Sequence, residues 1–401
     1  MYCTQNITED VVWVGGSDRR LAQFENLFPL PNGVTYNSYV IQDEKTALLD
    51  TADASIAHQF LENVEYTLAD KPLDYLVINH MEPDHCAMIH EIVRRWPQVK
   101  LVGNSKTFKL LGQFFDFSLE DRCIEVKEGD TLNLGRHTLT FVMTPMVHWP
   151  EVMMTYDQTD KILFCADAFG TFGAFNGPIF ADEVDFQHRV LDEARRYYTN
   201  IVGKYGMQVQ TTLKKAATLD IQALCPLHGP IWRKDIPWFL EKYDRWSRYE
   251  PEEKGVVIVY GSMYGHTQNA AEVLANLLAQ KNISNLRVYD ISKTHYSYVI
   301  SDLFCYSHFV LAAPTYNTGI YLPMEDLLHD MAALNLQNRT YSLIGNGSWA
   351  PLSAKKMAAL LASMKNMQQV GEPLTIRSSL KKEQLPEMEQ LAQAIADSLQ
   401  A

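Results

Sequence analysis

The chain has 401 residues, 47% of them apolar and 21% charged, and a formal net charge of −13. That length implies two or three domains rather than one core, with the composition of a soluble globular protein. An acidic surface with no Lys/Arg cluster would be repelled by a phosphate backbone, so no nucleic-acid partner is expected.

No apolar run reaches the roughly eighteen residues of a transmembrane helix, so no membrane partner is expected either. Met1–Asn6 lacks the basic and apolar regions of a signal peptide, which predicts a cytoplasmic location. The six cysteines, Cys3, Cys86, Cys123, Cys165, Cys225 and Cys305, are scattered without a Cys-x-x-Cys pair. They read as free thiols rather than a disulfide framework, an iron–sulfur site or a rubredoxin-type iron centre.

Strand-like runs come early and often: Asn37–Gln42, Thr46–Asp50, Leu73–Asn79, Val99–Val102, Thr138–Met143, Val152–Tyr156 and Lys161–Cys165. Helical patterns lie at His58–Leu68, His85–Trp96 and Asp185–Tyr198. This mixture of hairpins and crossovers predicts a sheet-rich α/β or α+β layered domain. The polar stretch Tyr249–Gly255, with a proline and a glycine, marks a boundary between domains at 1–250 and 255–401. Beyond it the alternation is regular. Strands are expected at Val256–Tyr260, Leu286–Asp290, His308–Ala312, Thr340–Gly345 and Leu374–Ile376, and helices at Thr267–Gln280, Met324–Leu334, Ala354–Met364 and Gln384–Leu399. This is the pattern of a doubly wound parallel sheet of flavodoxin type, strand order 2-1-3-4-5.

The most informative stretch is His80-Met81-Glu82-Pro83-Asp84-His85, directly after the apolar run Tyr75–Asn79. A loop at a strand's C-terminal end that carries four potential metal ligands is costly to bury unless a cation supplies the missing charge. A solvated polar turn is the alternative reading. His148, Asp167 and His228 also each end an apolar strand-like segment, where α/β folds gather functional side chains.

His80-x-Glu82-x-Asp84-His85 with His148, Asp167 and His228 resembles the ligand set of the metallo-β-lactamase fold, an αββα sandwich. Glu82 stands where the hydrolases of that fold carry histidine. Four imidazoles and three carboxylates form a harder, more anionic set than a zinc hydrolase uses, and one that suits iron. In this respect the chain resembles the flavodiiron proteins. The resemblance implies one iron held by His80, Glu82, His148 and Asp167, and a second by Asp84, His85, Asp167 and His228. In some members the histidine equivalent to His85 turns away from the metal.

Three loops follow strands of the second half: Gly261-Ser262-Met263-Tyr264-Gly265-His266-Thr267, Pro314-Thr315-Tyr316-Asn317-Thr318-Gly319, and Gly345-Asn346-Gly347-Ser348-Trp349-Ala350. The first opens a helix and suits a single phosphate, since it lacks both the dinucleotide and the P-loop fingerprints. The others supply glycines for close approach and aromatics for a flat ring. In this order the loops resemble flavodoxin, which implies FMN, with Trp349 near the ring.

The resemblance spans nearly the whole chain and matches the minimal two-domain class, without a fused rubredoxin or flavin reductase. It implies an enzyme that reduces dioxygen to water, nitric oxide to nitrous oxide, or both, at two non-haem irons. Electrons would come through FMN from rubredoxin or a similar carrier. It also implies a head-to-tail homodimer or a homotetramer, in which the flavin of one subunit serves the iron of another. Tyr197 or Tyr198 is a candidate proton donor, and the aromatics of Phe169–Phe175 are candidate walls of a dry pocket. A dinuclear zinc hydrolase with a flavodoxin-like regulatory domain and a non-catalytic redox sensor are the competing readings.

Overall fold

The computed structural model describes residues 1–119 and 121–400. The chain divides into two compact units, Met1–Asp244 and Arg245–Ala401.

The first unit is built on two sheets. One has seven strands in the order Gln5–Asn6, Val11–Trp13, Tyr39–Ile41, Ala47–Leu49, Tyr75–Val77, Lys100–Gly103 and Cys123–Glu125. The other has five, from Thr131–Asn133 through Thr138–Met143, Met153–Asp157 and Ile162–Phe164 to Ala223–Cys225. Both are mixed. Ala47–Leu49, Tyr75–Val77 and Lys100–Gly103 run parallel, as do Ile162–Phe164 and Ala223–Cys225, whereas the hairpins are antiparallel.

The sheets share one apolar core, in which Val11, Tyr39, Leu49 and Val77 from the first meet Phe141, Met153, Ile162 and Ala223 from the second. Strands such as Ala47–Leu49 and Ile162–Phe164 are buried on both faces, which explains why they read as continuous apolar runs. This is the expected metallo-β-lactamase-like sandwich. The helix expected at His85–Trp96 is broken into Pro83–Cys86 and Ile89–Arg95, because the first short turn belongs to the His80–His85 loop. Ser105–Phe114, Gly206–Ala216 and Ile236–Ser247 are further helices that the pattern did not indicate.

In the second unit the sheet order is Leu286–Asp290, Glu253–Tyr260, Tyr306–Tyr316, Arg339–Asn346 and a fifth position, all parallel, which is 2-1-3-4-5. The fifth strand is split. Met367–Gln369 and Leu374–Ile376 pair in turn with the start and the end of Arg339–Asn346.

Side chains alternate between two cores, as the two-residue strand period demands. Val256, Ile258 and Val310 face the helices His266–Gln280 and Leu385–Gln400. Val257, Val259 and Leu311 face Tyr296–Cys305, Leu322–Ala333 and Ser353–Leu361. The helix Tyr296–Cys305 was not expected. It is buried nearly all round, so it shows no amphipathic period, and its tyrosine, valine and isoleucine favour a strand locally.

Candidate metal centre and cofactor loops

Each polar residue singled out in the first half sits where a strand ends. His80, Glu82, Asp84 and His85 follow Tyr75–Val77, His148 lies between Thr138–Met143 and Met153–Asp157, Asp167 follows Ile162–Phe164, and His228 follows Ala223–Cys225. All seven are buried, and their polar atoms fall into two groups: His80 with Glu82, His148 and Asp167, and Asp84 with His85 and His228.

Asp167 joins the groups. Its Oδ2 is 2.9 Å from His148 Nε2 and 3.4 Å from His80 Nε2, while its Oδ1 is 3.1 Å from His85 Nε2 and 3.7 Å from His228 Nε2. His148 Nε2 is also 3.0 Å from a Glu82 oxygen. The backbone reaches this arrangement under local strain. Met146 and Ala166, just before His148 and Asp167, take left-handed conformations with φ of 66° and 51°, each costing roughly 1–2 kcal/mol for an L-residue.

The electrostatics call for positive charge. Burial alone would keep the imidazoles neutral, but Asp167 and Glu82 outweigh it and push His148 up to about 9. His80 is raised as well, against its own burial, chiefly by Asp167. Both oxygens of Asp84 and Oδ1 of Asp167 lack a hydrogen-bond partner among the described residues, although imidazole nitrogens stand 3.3 Å from Asp84 Oδ2 and 3.1 Å from Asp167 Oδ1. Lone pairs that crowd together without bonding to one another fit cations held among them. Four imidazoles with three carboxylates suit a pair of irons.

Outer groups fix the rings. His228 Nδ1 donates to Thr35 O at 2.6 Å, and His80 Nδ1 donates to Glu151 Oε1 at 2.8 Å. Asp50 accepts from the Asn79 and His80 backbone N–H groups. Glu151, Thr35 and Asp50 escaped the sequence reading. The one available signal was Glu151, a carboxylate three residues past His148.

Tyr197 is buried, with its ring 5.4 Å from that of His228 and its hydroxyl unpartnered among the described residues. Gly170 makes room for it, since a Cβ there would lie 2.7 Å from Tyr197 Cε1. Tyr198 instead packs edge-on against Tyr243. Phe172 packs against Tyr197 and Phe24, and Phe24 against His228, whereas Phe169 turns to Tyr243 and Phe175 to Trp13. Only part of the Phe169–Phe175 loop therefore borders the cluster. A cavity of about 320 Å³ opens onto Glu82 and Asp84, rimmed by Phe24, Glu25, Tyr36 and Asp53.

In the second unit the three loops enclose a cavity of about 360 Å³, within the range of cofactor sites. It is lined by Ser262, Met263, Tyr264, His266, Thr267, Pro314, Thr315, Asn317, Thr318, Asn346, Gly347, Ser348 and Trp349, with Ala350 and Ser378 in addition. Gly265, Tyr316, Gly319 and Gly345 stay off its wall. Gly265 caps the helix at φ 89°, Tyr316 and Gly319 pair in a short hairpin, and Gly345 packs against Ala354.

The helix His266–Gln280 opens at the cavity with Gly265 as its N-cap and no side-chain cap among the described residues, which suits a phosphate. Ser262 Oγ accepts from Gly265 N, closing that turn. Gly347 cannot carry a side chain without moving Pro351, whose Cα would lie 2.7 Å from the added carbon. Thr315 Oγ1 accepts from the Leu352 and Ser353 N–H groups, so it also ties the second loop to the third. Trp349 is 88% and Tyr264 87% exposed at this cavity.

Residues 34–229 match the family described as ODP family beta lactamase, and residues 258–385 match flavodoxin. The chain is 30% identical to the nitric oxide reductase of Moorella thermoacetica over 92% of its own length and 91% of that protein. The solved rubredoxin oxygen:oxidoreductase of Desulfovibrio gigas superposes with a TM-score of 0.93 at 28% identity, covering 99% of both chains. The flavodiiron protein of Giardia intestinalis does so with a TM-score of 0.91 at 25% identity, over 99% of this chain and 98% of that one. With a sandwich that gathers imidazoles and carboxylates and a flavodoxin unit that encloses a flavin-sized cavity, this chain belongs to the flavodiiron proteins, whose cofactors are FMN and a non-haem diiron centre.

Proposed function

We propose that this chain is an oxidoreductase that reduces dioxygen to water, with reduction of nitric oxide to nitrous oxide as a second capacity. The single observation that carries this reading is the meeting of four imidazoles and three carboxylates in one buried cluster. His80, Glu82, His148 and Asp167 would hold one iron, and Asp84, His85, Asp167 and His228 the other. When bound, the irons and FMN supply the electron-transfer chemistry.

The protein's own groups do the rest. Asp167 presents one oxygen to each group and fixes their spacing. Phe24 and Tyr36 pack edge-on against the His228 ring and Phe172 packs against Tyr197, an apolar wall on that side of the cluster that strengthens the charge interactions beside it. Burial, reinforced by Asp167, holds the Tyr197 phenol far above its usual range, so it keeps its proton at Oη, where it is available to donate a hydrogen bond to a ligand of the cluster. Glu82, a carboxylate within the cluster, argues against the zinc hydrolase reading.

The electron donor would be rubredoxin or a similar small carrier. The exposed Trp349 and Tyr264 at the cavity mouth support a face that a second copy covers in a head-to-tail homodimer or a homotetramer. Among the described residues no helix is long and apolar enough to cross a membrane. All six cysteines are free, which supports a cytoplasmic location.

Anaerobic reduction followed by rapid mixing with dioxygen or nitric oxide tests the reading. Flavin reoxidation should accompany loss of substrate. His148→Ala and Asp167→Ala should lose turnover and keep flavin, and full activity in either would refute the site assignment.

A further inference from the structure

The outer nitrogens of three of the cluster's four histidines, His80, His85 and His228, are not treated alike. His80 Nδ1 donates to a carboxylate, Glu151 Oε1, at 2.8 Å. His228 Nδ1 donates to a neutral carbonyl, Thr35 O. His85 Nδ1 is buried and has no partner among the described residues. A ligand imidazole backed by a carboxylate is locked in one tautomer, fixed in orientation, and made a stronger base at its inner nitrogen. One backed by a carbonyl gains the orientation with less of the basicity. One backed by nothing gains neither.

Glu151 is built for this task. It is 1% exposed. Its Oε1 also accepts from the Met81 backbone N–H at 2.9 Å, so a single oxygen orients both the His80 ring and the start of the loop that carries Glu82. Its own backbone carbonyl is held by Asn104 Nδ2 at 2.6 Å. Its Oε1 is thus shared between the His80 ring and the Met81 N–H and its backbone is held, while Oε2 is buried without a partner among the described residues, which leaves the carboxylate's charge directed at the imidazole.

We propose that Glu151 is a positioning residue that makes the two metal positions unequal, so that the position at His80, Glu82, His148 and Asp167 fills first and holds its ion more tightly. This rests on the diiron reading of the site. Outer-shell carboxylates of this kind are worth roughly 10–100-fold in metal affinity.

The test is anaerobic titration of the chelated full-length chain with Co²⁺, followed by its visible bands, with flavin content measured in parallel. The wild type should bind two ions in two separable steps. Glu151→Gln keeps the volume and one acceptor but removes the charge, and should merge the steps by weakening the first about tenfold. Glu151→Ala should weaken it further, towards a hundredfold, and Glu151→Asp should restore part of the loss. The second step and the flavin content should not move.

Wild-type protein that binds two ions, together with Glu151→Gln and Glu151→Ala titrating identically to it, overturns the inference alone. Wild-type protein that binds no Co²⁺ overturns the diiron reading and the inference with it.

Discussion

His85 Nε2 and His228 Nε2 lie 3.0 Å apart, and a single oxygen, Asp84 Oδ2, stands 3.3 Å from each. Two imidazole nitrogens this close cannot both carry a proton, yet the neighbouring carboxylates, Asp84 first and then Asp167, favour a charged His85 against its burial. A cation among the three atoms resolves the conflict, because both nitrogens then present lone pairs and the carboxylate is neutralised. A metal held there would therefore stabilise the fold as well as supply redox chemistry. Removal by a chelator should lower the melting temperature of the first unit, and Fe²⁺ at about a thousand times its dissociation constant should return roughly 4 kcal/mol. Calorimetry before and after chelation measures this. An unchanged transition would show that the cluster is stable without ions.

Asn346 links two of the cofactor loops. Its Nδ2 donates to Thr267 Oγ1 at 3.2 Å and to Ser378 O at 3.0 Å, in a buried position. Thr267→Val keeps the shape but removes one of those acceptors at the phosphate end of the cavity, a loss worth about 1–3 kcal/mol when a buried donor goes unpaired. Flavin affinity should fall roughly tenfold or more by fluorescence titration. Gly347→Val should be worse, because the added carbon meets the Pro351 backbone rather than a movable side chain. Metal content should be unaltered in both, which separates a local loop defect from unfolding of the chain.

The sequence exposed the cluster because its residues are out of character for their places. His80, Asp167 and His228 are ionisable groups at the ends of apolar runs, and nothing about an apolar core calls for them. Glu151 and Thr35 were hidden for the opposite reason. A carboxylate next to a proline, or the backbone carbonyl of a threonine, becomes a support only when the chain brings it to a ring distant in sequence. The flavodoxin order was visible because strand and helix alternate with a regular period. Tyr296–Cys305 was not, since a helix buried on every side loses the pattern by which helices are recognised. Tyr316 reads as a ring-flanking residue by its place in the loop, and its backbone pairs with Gly319 there.

Arg339 should be costly to replace. It is fully buried and donates to the carbonyl oxygens of Leu303, Phe304, Tyr249, Gln337 and Asn338, so one guanidinium ties the end of Tyr296–Cys305 to the chain at Tyr249. Burial depresses its pKa to about 9, and it remains charged at neutral pH. Arg339→Met fills similar space but strands those carbonyls. A loss of roughly 3–5 kcal/mol is expected, confined to the second unit. Denaturant unfolding followed through bound flavin reports on that unit, and a midpoint equal to the wild type would refute the role.

Asp330 sets a pH dependence in the same unit. It lies on the helix Leu322–Ala333 with Oδ2 buried and unpartnered among the described residues, and burial raises its pKa from 3.8 to about 6. The folded state therefore binds this proton more readily than the unfolded chain. Its contribution is fully present below pH 3.8 and is lost as the pH rises through about 6, where the carboxylate must ionise in a poor environment. At pH 7.5 Asp330→Asn should stabilise the second unit by about 1–2 kcal/mol, since the amide carries no charge to desolvate. The gain should shrink towards zero near pH 4. Parallel melts of wild type and variant across that range check the sign, and a gain that grew as the pH fell would mean that Asp330 is held ionised by a partner.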